Sequence, residues 1–373
     1  MAKPLTRFFQ SPLLCICLLL VFSSVSAAEL TASKKVVFLS PSDQKNLFFH
    51  QTVTIMQEAA TDLSLDLEVI YSNDLIEVSE HARALLQRTE RPDYLILTSL
   101  HGITEELMVQ ADRLGIHTLL FNSGIPHATI GRFRYGDTAL KHWVGQVLPD
   151  DQQAGRLVAE KLVQAARTAG KFDASGRIQL IGLNGSMRST VSEQREIGLR
   201  QYVSTQSDVH LQQVVYTEWT QEEARRKTRL LLNRFDNLSV VWAASDALAL
   251  GAAQATDSLE LSPGNDVFTA GVDWLPDVRQ DIIDGKVEGT VGGHYFDGAW
   301  ALIVIFDHVN GANKKFVDER TLFHWVDKNN VDAISKIMDP HWRQSLDYRR
   351  FSKTHNHNAN YRFSIERILE DPQ

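Results

Sequence analysis

The amino-acid sequence predicts an α/β protein built from two doubly wound parallel-sheet lobes. Continuous apolar runs of strand length alternate with amphipathic helical segments, the pattern of parallel strands covered by helices on both faces. That alternation breaks once, across residues 124–151, and then restarts cleanly. A chain of 373 residues also exceeds what one hydrophobic core comfortably fills.

In the first series, KVVFLS (35–40), LDLEVIYS (65–72), DYLILTS (93–99) and HTLLFNS (117–123) read as strands. Residues 48–64, 80–88 and 104–115 between them carry apolar side chains at helical spacing. The second series opens with a helix over 152–170. It continues with strands RIQLIGL (177–183), VHLQQVVYTE (209–218), LSVVWAAS (238–245), DVFTAGVD (266–273) and VEGTVGG (287–293). Helices over 191–205, 221–235, 246–258 and 275–285 separate these strands. A helix over 297–311, the segment LFHWVDKNN (322–330) and the helix VDAISKIM (331–338) close the compact part.

At the start of the chain, Lys3 and Arg7 precede the apolar run LLCICLLLVF (13–22) and then the small residues SSVSAAE. Residues 1–27 are therefore expected to be a cleaved secretory signal peptide, delivering the product to an oxidising compartment such as a periplasm. The run is short of the ~20 residues that span a bilayer. Both cysteines, Cys15 and Cys17, lie inside it. The mature chain then has no thiol for a disulfide, a Cys-based metal site or a nucleophile. With a net charge of −8 and no basic run expected, nucleic acid and anionic membrane are poor partners.

The stretch VVWAASDALALGAAQA (240–255) passes from strand to helix at Ser245-Asp246. Doubly wound sheets bind ligands beyond the carboxyl ends of their strands. Polar residues at this seam can meet a ligand or cap the helix, and the expectation is Asp246 as cap and Ser245 as ligand contact.

Several strand-end motifs, in order, resemble the type I periplasmic binding proteins, the ribose-binding group that shares its fold with the LacI-type repressors. The first strand ends in SPSDQKNLFF, similar to the sugar binders' Asn-x-Phe-Phe. Asn46 would supply a polar contact, and Phe48 and Phe49 an aromatic face, with one of the two as readily in the core. NGSMRSTVSEQREIGLRQYV matches a strand, polar loop and helix in which an arginine lies three residues before a glycine, here Arg195 and Gly198. A guanidinium there can grip two ligand oxygens. A surface pairing of Arg195 with Glu193 or Glu196 is the structural alternative, and Arg188 is a second, weaker candidate. FTAGVDW resembles the strand end whose aspartate accepts from sugar hydroxyls, implying that role for Asp273 and a stacking role for Trp274. Gly292, Gly293 and His294 would lie at a second crossing between lobes, and WVDKNNVDAI at a third.

The resemblance thus implies a three-strand hinge, with lobes of residues 34–140 plus 294–322 and 141–293 plus 323–345, and an extension over 346–373. Asn122-Ser123 stands where the ribose type carries Asp-Arg. The autoinducer-2-binding branch shares an arginine at 195 and a hydroxyl at 245, but it uses a second arginine where this chain has glycine. Its ligand is therefore not carried over.

The sequence contains no P-loop, Gly-x-Ser-x-Gly elbow or His-Glu-x-x-His. The expected role is a carrier rather than an enzyme, without cofactor or metal; a hydrolase of unrecognised site is the alternative. His355 and His357 in a polar tail read as solvated loop. The implied ligand is small and sugar-like, trapped by lobe closure. The partner would be a membrane permease or the periplasmic domain of a sensor, and the long tail leans toward the sensor.

Overall fold

The first strand, β1 (Lys35–Leu39), lies between β3 and the edge strand β2 in a six-stranded sheet ordered β11-β5-β4-β3-β1-β2. Its members are β2 (Asp66–Ile70), β3 (Tyr94–Leu97), β4 (His117–Phe121), β5 (Trp143–Pro149) and β11 (Val317–Thr321), all in parallel pairs. This computed structural model describes Met1 and residues 33–100, 102–125, 127–134, 139–357 and 360–370. The expected signal peptide lies outside the described residues. Residues 34–373 form one unit.

A second six-stranded sheet is ordered β12-β10-β9-β8-β6-β7. It comprises β6 (Ile178–Asn184), β7 (Val209–Tyr216), β8 (Leu238–Ala243), β9 (Phe268–Val272), β10 (Thr290–Gly292) and β12 (His324–Val326). Only β12 runs antiparallel, against β10. The first sheet reverses its order between β1 and β3, and the second between β6 and β8. These are the switch points where crevices open at strand carboxyl ends.

The helices of the first lobe are α1 (Leu47–Asp62), α2 (Leu75–Leu86), α3 (Thr104–Arg113) and α4 (His127–Arg134). Those of the second are α5 (Asp151–Thr168), α6 (Thr190–Ser204), α7 (Gln221–Arg234), α8 (Asp246–Ser258) and α9 (Arg279–Ile283). Their starts are set locally. Asn46, Asp74, Asp150, Ser189 and Thr220 each accept a hydrogen bond from an amide in the first turn, meeting donors that the helix itself leaves unpaired.

The chain crosses between lobes after β5, after β10 and between β11 and β12. The boundary expected at residue 140 moves to the end of Pro149, because β5 pairs with β4 and β11 in the first sheet. The expectation of no basic run is also corrected: Arg225, Arg226 and Lys227 sit together on α7. Two of them, Arg225 and Arg226, are bonded to Glu222 and Glu223.

Helix α10 (Asp297–Val309) is apolar on nearly all sides, with Ala299–Ile305 buried, so it needs cover all round. It packs on β4, β5 and α1, and the C-terminal segment supplies the rest. This segment contains α11 (Val331–Met338), α12 (Pro340–Arg343), α13 (Lys353–Asn356) and α14 (Ile365–Leu369). Phe363 lies flat on Trp300 with centroids 4.8 Å apart, and Phe351 meets the same indole edge-on at 4.8 Å. His355 stacks on Phe306.

At the amino-terminal ends of β3, β4 and β5 three imidazoles gather. His117 lies 5.1 Å from His142 and 4.9 Å from His308, and Tyr94 Oη is 2.7 Å from His308 Nδ1. Asp112 faces His142 at 3.1 Å, and the Asp93 carboxylate is held by Lys34. Burial lowers the pKa of His117, helped by the two neighbouring imidazoles, and burial also lowers that of His308. The unfolded chain therefore binds protons that the folded one resists, so this cluster's contribution is intact above about 6.5 and is lost as pH falls through the depressed folded values. The expected result is that His117→Gln flattens the loss of stability on acidification from neutral pH, read from urea midpoints of both proteins across the range. Parallel curves would show that the cluster does not titrate on unfolding.

Candidate ligand-binding site

The carboxyl ends of the two sheets face each other across a cleft of about 1410 Å³. The first lobe contributes the end of β1 and the start of α1. Asn46 Oδ1 accepts from the Phe49 amide at 3.1 Å, and the residue lines the cleft. Phe48 and Phe49 are both half-buried and both line the cleft, meeting edge-on at 5.1 Å. Phe48 also stacks on His294 at 4.6 Å, which ties the aromatic face to the second crossing.

Asn122 and Ser123 follow β4 and line the same wall, with Asn122 at φ +62°. Ser123 does not present a free hydroxyl: its Oγ accepts from the Ser99 amide at 2.9 Å and donates to the Ser99 carbonyl at 3.2 Å. The bracing frees the neighbour instead. Ser99 Oγ is buried, lines the cleft and has no hydrogen-bond partner among the described residues.

The second lobe builds the polar floor. Arg195 projects from α6 and is 2% exposed. Its Nε donates to Asp151 Oδ1 at 2.8 Å, and its Nη1 donates to the Ala244 carbonyl at 2.6 Å and lies 3.7 Å from Asp273 Oδ1. Neither Glu193 nor Glu196 holds it. Nη2 has no hydrogen-bond partner among the described residues. Burial pushes the Asp151 carboxyl up to about 6, against the opposing pull of Arg195.

Gly198 explains this reach. A Cβ there would fall deep inside the van der Waals surface of the Gln152 carbonyl, and one at Gly155 would meet the Arg195 carbonyl. The two glycines let α5 and α6 touch backbone to backbone, which brings the guanidinium to Asp151.

Asp273 directly follows β9 at φ +124°, and its Oδ1 lies 3.4 Å from His294 Nε2. His294 is buried, and that burial lowers its pKa against the opposing pull of Asp273. Ser245 is the residue preceding α8, but its side chain makes no cap bond; Oγ is buried without a partner among the described residues and faces the cleft.

Two expectations are corrected here. Asp246 is not the cap of α8: it is the first helical residue, fully buried, and its Oδ2 accepts from the Leu275 amide at 2.8 Å. Gly271 makes room for it, since a Cβ there would press on Asp246. Burial, with Asp273 alongside, raises its pKa strongly. Trp274 does not face the cleft either. At φ +56° its indole turns into the core over Gly292, with Nε1 donating to the His324 carbonyl at 3.2 Å. The aromatic that the second lobe does present is Trp219, at φ +62° in the turn after β7. Its ring sits 5.9 Å from the Arg195 guanidinium carbon and fills the space above Gly185.

Asp151, Ser99 and Trp219 were missed in the sequence. Only the aromatic directly after a strand, in YTEWT, was a usable signal. Arg188 lines the exposed rim.

A family model described as periplasmic binding protein domain matches residues 36–313. The chain belongs to the type I periplasmic binding proteins. This binding protein is 29% identical to a periplasmic sugar-binding protein from Pseudomonas fluorescens, whose structure superposes with a TM-score of 0.81 over 90% of this chain and 100% of that one. It is 22% identical over 149 residues to the galactofuranose-binding protein YtfQ of Escherichia coli (strain K12), covering 39% of this chain and 44% of that protein. It is 23% identical over 197 residues to a D-apiose import binding protein of Actinobacillus succinogenes, covering 52% and 60%. The chain thus spans about half the length of the curated relatives it matches. All three relatives are binding proteins.

Proposed function

We propose that this protein is a periplasmic solute-binding protein that captures a sugar or sugar-like molecule by closing its lobes. The closed form is then presented to a membrane partner. One observation carries the reading: partly open polar groups converge on one cleft between aromatic rings. From the second lobe come Arg195, the Asp273 carboxylate, the Ser245 hydroxyl and the Trp219 ring, and from the first lobe come the Ser99 hydroxyl and the rings of Phe48 and Phe49. Polar groups of this kind fix hydroxyls while rings cover the CH faces of a polyol.

Arg195 is already matched by two carboxylates, so it acts as a hydroxyl donor rather than as the counter-ion of an anionic ligand. Contacts from both lobes favour the closed form over the open one, which is the differential affinity a closure needs. Secretion through the leader at residues 1–27 supports a periplasmic location. The import role named for the apiose relative favours an ABC-type permease as partner over a sensory receptor.

Residues 28–373, screened by thermal shift against sugars, polyols, amino acids and nucleosides, should be stabilised by one sugar class. Stabilisation only by amino acids or nucleosides would defeat the sugar reading. Against the sugar identified, Trp219→Ala should weaken binding about tenfold or more, the usual cost of removing an aromatic anchor. Its unliganded melting temperature should drop only slightly, because Trp219 is only partly buried. Calorimetric titration reads the first and a melt reads the second. Unchanged affinity would remove Trp219 from the site.

A further inference from the structure

We propose that the C-terminal segment is a hinge wedge, in which Ile365 and Glu366 are positioning residues that hold the lobes cleft-open and set ligand affinity from outside the cleft. The proposal rests on the ligand-binding reading above. Its basis is that the segment beyond Met338 is fastened to one lobe and abuts the hinge of the other, whereas α11 itself is held to α9 of the second lobe by Arg279, which bonds Asp332 and Ser335.

The fastening is to the first lobe. Arg343 is 1% exposed and its Nε lies 3.2 and 3.1 Å from the two Glu58 oxygens of α1, while Nη1 donates to the Met338 carbonyl at 2.6 Å. The Tyr348 amide donates to Asp62 at 2.9 Å. The buried Asp307 of α10 accepts from the amides of Lys353 and Thr354 at 2.8 and 2.9 Å, and from Thr354 Oγ1 at 2.7 Å. With Phe363 flat on Trp300, Ile365 and Ile368 are buried in the same core.

From that anchored position α14 meets the second and third crossings. Gly293, at φ +112° directly after β10, is so close that a Cβ on it would lie 3.0 Å from Ile365 Cγ1 and 3.6 Å from His324 Cδ2. Glu366 Oε1 is 3.1 Å from Nδ1 of His324, the first residue of β12. β10 and β12 both belong to the second sheet. Rotating that sheet about the hinge must move Gly293 and His324 against groups that the first lobe holds still.

The cleft in this arrangement, about 1410 Å³, exceeds the roughly 300–1,000 Å³ of typical small-molecule pockets. The wedge contacts therefore belong to the open form. Breaking them raises the fraction of molecules able to close, and apparent affinity rises with that fraction.

Residues 28–373 contain no cysteine, so Ile76→Cys and Met187→Cys place spin labels on opposite lips, at side chains 70% and 75% exposed. Pulsed dipolar distances are compared without ligand in the parent, Ile365→Ala and Glu366→Gln proteins. Affinities for D-galactose, L-arabinose, D-apiose and myo-inositol are measured on the unlabelled chains. Both variants should shift toward shorter distances and bind the accepted sugar about threefold or more tightly. Glu366 is exposed, so its variant tests the hinge even where Ile365→Ala destabilises the core. Distances unchanged in both variants overturn the wedge. Sugar-driven shortening with the same midpoint in all three proteins also overturns it and leaves sugar binding standing. Shorter distances with no sugar bound by any protein keep the wedge and defeat the sugar reading.

Discussion

Replacing Arg195 with alanine is expected to destabilise the protein by about 3–5 kcal/mol, the usual cost of removing one partner from a buried ion pair, and to abolish ligand binding. The reason lies in its neighbours more than in the ligand. Asp151 and Asp273 both face the guanidinium, at 2.8 and 3.7 Å, and the side chains of Arg195 and Asp151 are 3% and 8% exposed. Without the arginine, Asp151 stays buried beside Asp273 with no cation, and the Ala244 carbonyl loses its donor. Urea denaturation of the unliganded protein reads the stability term. Pairing Arg195→Met with Asp151→Asn should recover much of the stability while binding stays lost, since the orphaned charge is then gone. Equal stability of wild type and Arg195→Ala would mean that the pair contributes nothing to the fold.

Gly198→Ala is expected to lower both stability and ligand affinity from a position that touches no ligand. One methyl group at this site collides with the Gln152 backbone, which cannot move as the tip of a side chain would. Overpacking of this kind costs about 1–3 kcal/mol. The strain pushes α6 away from α5, so Arg195 should leave Asp151 and ligand affinity should fall along with stability. The measurements are a urea midpoint and a calorimetric titration. Affinity preserved at reduced stability would show that the guanidinium is held by the Ala244 carbonyl rather than by the helix contact. Alanine at Gly251, also packed against backbone but in the α7–α8 contact, is the control for overpacking away from the site.

Strand ends and their order were legible because a strand buried on both faces leaves an uninterrupted apolar run. That same physics hid β5. Trp143–Pro149 is entirely buried, yet Gly145, Gln146 and Pro149 break its apolar run. At the site, residue types were readable and side-chain directions were not. Ser99 and Ser123 are equivalent hydroxyls on paper, and only the hydrogen bonds between their strands decide which one is free. Trp274 and Trp219 both follow strands, and left-handed backbone at each turns one inward and the other to the cleft. Asp246 resembled a helix cap because the seam allows one; the space beside Gly271, invisible in one dimension, draws it inside instead.

The backbone at these strand ends has a consequence for evolution and for engineering. Asn122, Glu218, Trp219, Asp273 and Trp274 all adopt positive φ, and none is glycine. Such residues each cost of order 1–3 kcal/mol when the conformation is sparsely populated. A chain relaxed at these turns by glycine would be a sturdier scaffold with a blunted recognition surface. The most stable protein with this architecture is therefore not the best binder. Selection for heat resistance in the laboratory should accumulate changes at these turns, and selection for ligand capture should reverse them.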